Sequence, residues 1–400
     1  MMISRRTLLQ AGTAAGAMAG VTAAAGLPGR IAFGNTARIR IGAMMPFTGT
    51  YAALGEAGVN GLKLALEMHG NKLGGREVEI VSLDDEAEPS RAPANATKLI
   101  KSDNVDVLFG TVHSGVAMGM VKVARETGTL LVIPNAGAGP ATGAMCAPNI
   151  FRTSFTNWQP AFPMGKVAYD KGYRKVVSIT WKYGAGEEAI AGFKEGFEAL
   201  GGKVIKEITV PFPNVEFQAN LAEIAALKPD AVFTFFAGGG AVKFVKDYAA
   251  AGLKDQVPLL GSGFLTEGTL EAQGAAAEGL LTTLHYADTL DIPANKNFRE
   301  AYKKAFGKEA DIYGVQGYDA GLMLIAGFDA VKGDTGAKAA LYAAMEKATI
   351  ASPRGAMTFS PSHNPVQDIY LRQVRGGQNV VIGVAASKLA DPARGCKMPA

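Results

Sequence analysis

The sequence predicts an α/β chain built as two doubly wound parallel-sheet lobes. Three observations predict it. Short β-branched apolar runs alternate with amphipathic helical segments along most of the chain. The alternation stops and restarts near residue 150. The 400 residues exceed what one core holds, since single cores stop growing at roughly 250–300 residues.

The first series opens with a strand over residues 38–45. Residues 55–69 follow as a helix, with Val59, Leu62, Leu64, Ala65, Leu66 and Met68 marking its apolar face. A strand over 78–83, a helix over 90–101, a strand over 105–109, a helix over 116–126 and a strand over 130–133 complete it. Near-continuous apolar strands between amphipathic helices indicate a parallel sheet covered on both faces. After Asn149-Ile150-Phe151-Arg152 the rhythm restarts. Helices over 159–171, 187–200, 217–227 and 241–251 alternate with strands over 175–180, 203–205, 231–235 and 258–260. The remainder changes character: helices near 295–306, 314–331 and 338–347 precede extended runs at 355–359 and 369–374. These elements must return to lobes already built, so discontinuous domains are expected: 36–150 with 284–354, and 151–283 with 355–390, followed by a tail over 391–400.

The formal charge of +4 is concentrated at the start. Residues 1–35 hold Arg5, Arg6 and Arg30 and no acid, leaving 37 basic against 36 acidic side chains. Composition therefore implies no basic surface for nucleic acid. Residues 1–35 read as an export leader, in which Ser4-Arg5-Arg6-Thr7-Leu8-Leu9-Gln10 precedes an Ala/Gly-rich run over 11–27. The paired arginines resemble a twin-arginine signal, from which Leu8 and Gln10 depart. Export to the periplasm with leader cleavage is expected. No later run of about 20 apolar residues gives a spanning helix. Cys146 and Cys396 are the two cysteines. A structural disulfide that ties the tail to the body competes with two free thiols.

Ligands of doubly wound sheets bind outside the carboxyl ends of the strands. The loops there, near 46–54, 110–115, 134–140, 181–186, 236–240 and 261–266, are rich in Gly, Ser and aromatic residues and poor in acids, lysines and histidines. That composition suits binding through amides, hydroxyls and rings rather than acid–base catalysis. No phosphate-binding glycine loop occurs. The four histidines, His69, His113, His285 and His363, lack metal-ligand spacing, so neither metal nor cofactor is expected. Asp84-Asp85-Glu86 reads as a solvated turn or a charge partner for a hinge. Ser114, in His113-Ser114-Gly115, lacks a nucleophile context. A helix N-terminus there would offer unpaired amides to an anion. Ser114 Oγ, the amides near Gly115 and those of Ala136, Gly137 and Ala138 are the expected carboxylate donors, against simple helix capping. Trp181, Tyr183, Phe236 and Phe264 end strands, and are expected to line the cleft.

Pro46-Phe47-Thr48-Gly49, Gly74-Gly75-Arg76, Asp84-Asp85, Gly110-Thr111-Val112-His113-Ser114, Pro134-Asn135-Ala136-Gly137-Ala138, Phe151-Arg152-Thr153, Trp181-Lys182-Tyr183 and Gln316-Gly317-Tyr318-Asp319-Ala320 stand in a specific order. In this the chain resembles the periplasmic solute-binding proteins of the Leu/Ile/Val-type transporter family, the type I periplasmic binding proteins. The resemblance implies a three-crossover hinge, cleft closure on a small ligand, and docking onto the permease subunits of an ABC importer, with the chain a monomer and no enzyme. It places Ser114 and residues 136–138 at an α-carboxylate site, and Tyr183 in or beside the loop that supplies a ring from the second lobe. Amino-acid binders of the family pair the ligand's ammonium with an acid in the loop where this chain has Gly263 and Phe264. An ammonium buried without an acid costs several kcal/mol. A carboxylate with an apolar or aromatic body and no amine is therefore expected. Glu267 keeps branched-chain amino acids as the alternative ligand, and a ligand sensor is the alternative role.

Overall fold

The computed structural model describes residues 38–398; the leader reading of residues 1–35 lies outside them. In chain order the elements are β1 (Ile39–Met45), α1 (Ala52–Met68), β2 (Lys72–Leu73), β3 (Arg76–Asp84), α2 (Ala92–Lys101), β4 (Val107–Phe109), α3 (Ser114–Thr127), β5 (Leu130–Ile133), α4 (Gly139–Thr142) and β6 (Ile150–Arg152). There follow α5 (Trp158–Asp170), β7 (Lys175–Lys182), α6 (Gly184–Glu198), β8 (Lys203–Pro211), α7 (Gln218–Leu227), β9 (Ala231–Phe235), α8 (Gly238–Ala250), β10 (Leu259–Ser262), α9 (Leu270–Gln273) and β11 (Leu281–Leu284). The chain ends through α10 (Pro293–Phe306), α11 (Ile312–Ala330), α12 (Lys338–Glu346), β12 (Thr358–Phe359), β13 (Pro365–Arg375) and β14 (Gln378–Leu389).

One sheet has the order β2-β3-β1-β4-β5-β6, the other β12-β13-β11-β10-β9-β7-β8, with β14 beside β13. In the first, β1 lies between β3 and β4, so Ile41 faces Ile80 on one side and Val107 on the other. Both pairings are parallel, and the buried run of β1 has no face left for water. In the second, β7 lies between β8 and β9 in the same way. The chain passes between the sheets three times: from β6 to α5, from β11 to α10, and from α12 to β12.

Helices of the returning segment pack on the first lobe. Helix α11 buries most of its circumference and lies along α1. Backbone meets backbone at that crossing: a Cβ at Gly317 would lie 1.9 Å from the Gly58 carbonyl oxygen, and one at Gly61 would lie 2.0 Å from that of Gly314.

The structure adds strands the periodicity did not predict, chiefly β11 and β14. The second forms a long antiparallel hairpin with β13 across Gly376 and Gly377, at φ +57° and +75°. Two positive-φ residues are what a two-residue hairpin turn needs. Cys146, in the loop before β6, is disulfide-bonded to Cys396 in the tail. Among the described residues no helix is long and apolar enough to cross a membrane.

Candidate functional site: a cleft between two switch points

In a doubly wound sheet the loops leaving neighbouring strands diverge where the strand order reverses, and a crevice opens there. Reversal occurs at β1 and β4 in the first sheet and at β7 and β9 in the second. The loops after these four strands bring Tyr51, Val112 and Ser114 from one lobe against Tyr183, Ala185 and Ala237 from the other. Asn135 and Gly137, after β5, and Phe155 and Asn157, in the first crossover, close one side. Phe235, Phe264 and Tyr313 close the rest. No side chain of this lining is an acid, a lysine, an arginine or a histidine.

The lobes meet directly. Tyr51 Oη and Tyr183 Oη lie 2.7 Å apart, a hydrogen bond from one lobe to the other. Burial holds both side chains as neutral phenols. Gly238 opens α8 with φ +55°, and a Cβ there would lie 2.4 Å from the Thr50 carbonyl oxygen, so glycine is what lets these backbones approach. The cavity between the lobes measures about 20 Å³. An apolar cavity of about 150 Å³ takes up benzene, so the lobes must part and reseat to admit a ring.

Anion chemistry is concentrated at the loop after β5. Buried Arg152 donates to the carbonyl oxygens of Ala136 and Ala138 at 3.0 and 2.8 Å, and to Asn364 Oδ1 at 2.8 Å. The Asn157 amide donates to the Gly137 carbonyl oxygen at 2.8 Å. In a trans peptide the N–H points opposite its carbonyl. Fixing the carbonyls of Ala136 and Gly137 therefore turns out the amides of Gly137 and Ala138, which have no acceptor among the described residues. Burial lowers the Arg152 pKa to about 10, so a positive charge stands behind this loop at neutral pH. Ser114 Oγ accepts from Asn157 Nδ2 at 3.3 Å, which leaves its hydroxyl proton for another acceptor. Asn157 also donates to Glu188 Oε2 at 2.9 Å, as does the Gly139 amide, so the loop is braced from the second lobe too.

Of the residues singled out in the sequence, Ser114, Gly137, Tyr183 and Phe264 line the cavity. Others sit elsewhere. The N-cap of α3 is His113, not Ser114, and its Nδ1 accepts from the Gly115 amide at 3.1 Å. The Gly115 donor is thus taken within the chain. The Ala136 amide is likewise taken, by the Thr111 carbonyl at 2.8 Å. His113 stacks on Tyr183 with ring centroids 4.5 Å apart, and burial lowers its pKa to about 4. Trp181 and Phe236 are fully buried one layer behind the lining, packed on each other and around Phe212, Phe217 and Phe244. Gly263 faces Leu284 and Arg372.

Glu267 does not reach the cavity. It pairs with Arg372, accepts from Asn379 Nδ2 and the Ile312 amide, and is pushed up to about 7 by burial against the pull of Arg372. Asp85, from the acidic cluster, is buried. It accepts from the Ala87 amide and Thr111 Oγ1, fixing the loop that carries Val112 and Ser114. Sequence reasoning missed Tyr51, Phe155, Asn157 and Tyr313, which reach the cleft from a short helical turn, a crossover and the start of α11.

Two parallel-sheet lobes with three crossovers and a neutral cleft at facing switch points describe a binding scaffold. The periplasmic binding protein family model matches residues 38–379. The chain belongs to that family. It is 34% identical over 343 residues to Leu/Ile/Val-binding protein homolog 6 of Brucella melitensis biotype 1, across 84% of this chain and 87% of the relative. It is 52% identical to a solute-binding protein of an ABC transporter from R. palustris, crystallised in complex with benzoate. That structure superposes with a TM-score of 0.89 over 90% of this chain and 100% of the other. A second such protein, from Rhodopseudomonas palustris BisB5, in complex with 3,4-dihydroxybenzoic acid, is 32% identical with a TM-score of 0.84, over 89% and 99% of the two chains. By its family this chain is accordingly an extracytoplasmic substrate-binding protein, and not an enzyme.

Proposed function

We propose that this protein closes on an aromatic carboxylic acid without an amine and delivers it to the permease subunits of an ABC importer, working in the periplasm as a monomer after its leader is removed. The carboxylate is held by Ser114 Oγ and the Gly137 and Ala138 amides, with the Arg152 charge behind them. The ring packs among Phe155, Phe264, Tyr183 and Phe235. The observation that carries this reading is the lining itself: rings, hydroxyls and amides without one carboxylate. An amino acid's ammonium would lie buried with no counter-charge, because Glu267 is already engaged by Arg372. The solved neighbours in complex with benzoate and 3,4-dihydroxybenzoic acid support the same ligand class.

Thermal shift of the purified protein tests it. A ligand at 100 times its dissociation constant adds about 2.7 kcal/mol, so benzoate or a hydroxybenzoate is expected to raise Tm by several degrees, and leucine and valine to leave it unmoved. Stabilisation by leucine or valine with none by any aromatic acid would overturn the reading.

A further inference from the structure

Among the cavity-lining side chains, one polar atom is buried without a hydrogen-bond partner: the hydroxyl of Tyr313. Tyr51 and Tyr183 satisfy each other, and Asn135 donates to Gln316 Oε1 at 2.6 Å. The Tyr313 ring is 2% exposed and lies 6.1 Å from that of Phe264, in the part of the lining that packs against a ligand's body. A buried hydroxyl without a partner is costly and rare in native proteins, so its retention in a ligand cleft calls for a partner brought by the ligand.

The local charge says what kind of group that partner is. Glu267 reaches the Ile312 amide, one residue from Tyr313, and Asp311 caps the same helix through the Gly314 amide at 3.0 Å. The charge at this end of the cleft is already paired, Glu267 with Arg372, and the lining offers no cation for a second carboxylate, whereas Arg152 stands behind the 136–138 loop. A carboxylate is drawn to the Arg152 end, and the group left facing Tyr313 must be polar but uncharged. A phenolic hydroxyl meets both conditions, because it and Tyr313 can each donate or accept.

We propose that Tyr313 is a specificity-determining residue that reads a hydroxyl on the ligand's ring, so that the protein prefers a hydroxylated aromatic acid to the unsubstituted one. This rests on the aromatic-acid reading above. A site built to hydrogen-bond a substrate hydroxyl discriminates against the analogue lacking it, because its own buried group is then left unpaired.

Isothermal titration of the full chain with benzoate and with 2-, 3- and 4-hydroxybenzoate tests the inference, in wild type and in Tyr313→Phe. One hydroxybenzoate is expected to bind the wild type about tenfold more tightly than benzoate, one hydrogen bond's worth of affinity. Tyr313→Phe is expected to erase that ratio, so that benzoate and the preferred hydroxybenzoate bind the variant with equal affinity. If wild type binds benzoate and no hydroxybenzoate more tightly, the role of Tyr313 is refuted and the aromatic-acid reading stands. A ratio that survives Tyr313→Phe refutes it equally. If none of the four acids binds, both fall together.

Discussion

At the scale of single residues, burial keeps Tyr51, Tyr183 and His113 of the cleft neutral. His113 shows the consequence. Its ring is 3% exposed and burial lowers its pKa to about 4, only partly offset by Glu88. The unfolded ring titrates near 6.5. As pH falls from 6.5 towards 4 the unfolded chain takes up this proton first, so stability is lost across that window and is complete above it. Asp85, Asp311 and Glu267, raised by burial to about 6, 6 and 7, gain protons in the folded state and oppose the trend. They are common to wild type and variant, so His113→Asn isolates the histidine. Urea unfolding of both proteins should find the wild-type advantage about 2 kcal/mol smaller at pH 4.5 than at pH 7.5. An unchanged difference would show that His113 protonates freely in the fold. Ser114 carries a second expectation. Hydrogen bonds to charged groups contribute about 1.5–3 kcal/mol, so Ser114→Ala should weaken binding of the aromatic acid by about 10- to 100-fold, read by titration at pH 7.

At the scale of elements, helices and strands position these residues, and most of them were legible from periodicity. The alternation marked nearly every helix and both parallel sheets, because a strand buried on two faces and a helix buried on one leave different apolar patterns. The hairpin partner β14 escaped because its burial is irregular: small and polar residues leave it half-exposed along much of its length. The Gly376-Gly377 turn was the signal present for it. Within the cleft the errors are errors of facing. Phe235 lines the cavity whereas Phe236 turns into the second-lobe core, and Phe264 lines it whereas Gly263 faces inward. Successive positions of an extended chain point to opposite sides, so a strand end located to within one residue cannot choose between Phe235 and Phe236, whereas Gly263 and Phe264 diverge because they open a short 3-10 turn after β10. Tyr51, Phe155, Asn157 and Tyr313 were invisible for a different reason: their segments reach the cleft only through tertiary packing. The α1–α11 crossing gives a prediction of its own. A side chain at position 317 would meet the Gly58 carbonyl, which is backbone and cannot rotate aside. Gly317→Val should therefore cost about 3 kcal/mol or more in urea unfolding, since overpacking there must separate two helices. A loss below about 1 kcal/mol would mean that the helices slide apart readily.

At the scale of the whole molecule, function requires the lobes to part, and the C-terminal tail links them outside the three backbone crossovers. Strand β14 belongs to the second sheet, and its last carbonyl, that of Leu389, accepts from Gln159 Nε2 at 2.9 Å. The tail then passes Thr156, whose Oγ1 donates to Asp391 at 2.6 Å, and Glu195 of α6, which pairs with Arg394 at 2.9 Å. It ends at Cys396, bonded to Cys146 beside the first sheet. The disulfide thus makes a fourth, covalent connection between lobes that the backbone already crosses three times. A tether of fixed length removes the widest openings from the ligand-free ensemble, so less conformational freedom is lost on closure. Replacing both cysteines by serine should raise the radius of gyration of the ligand-free protein in small-angle scattering and leave that of the ligand-saturated protein unchanged. Affinity should fall with it, because closure then starts from a broader ensemble. Opening a loop of 250 residues should also cost about 2–4 kcal/mol of stability. Measuring scattering and unfolding on the same samples separates the two effects: a loss of stability with no change in ligand-free dimensions would make the disulfide an anchor for the tail alone.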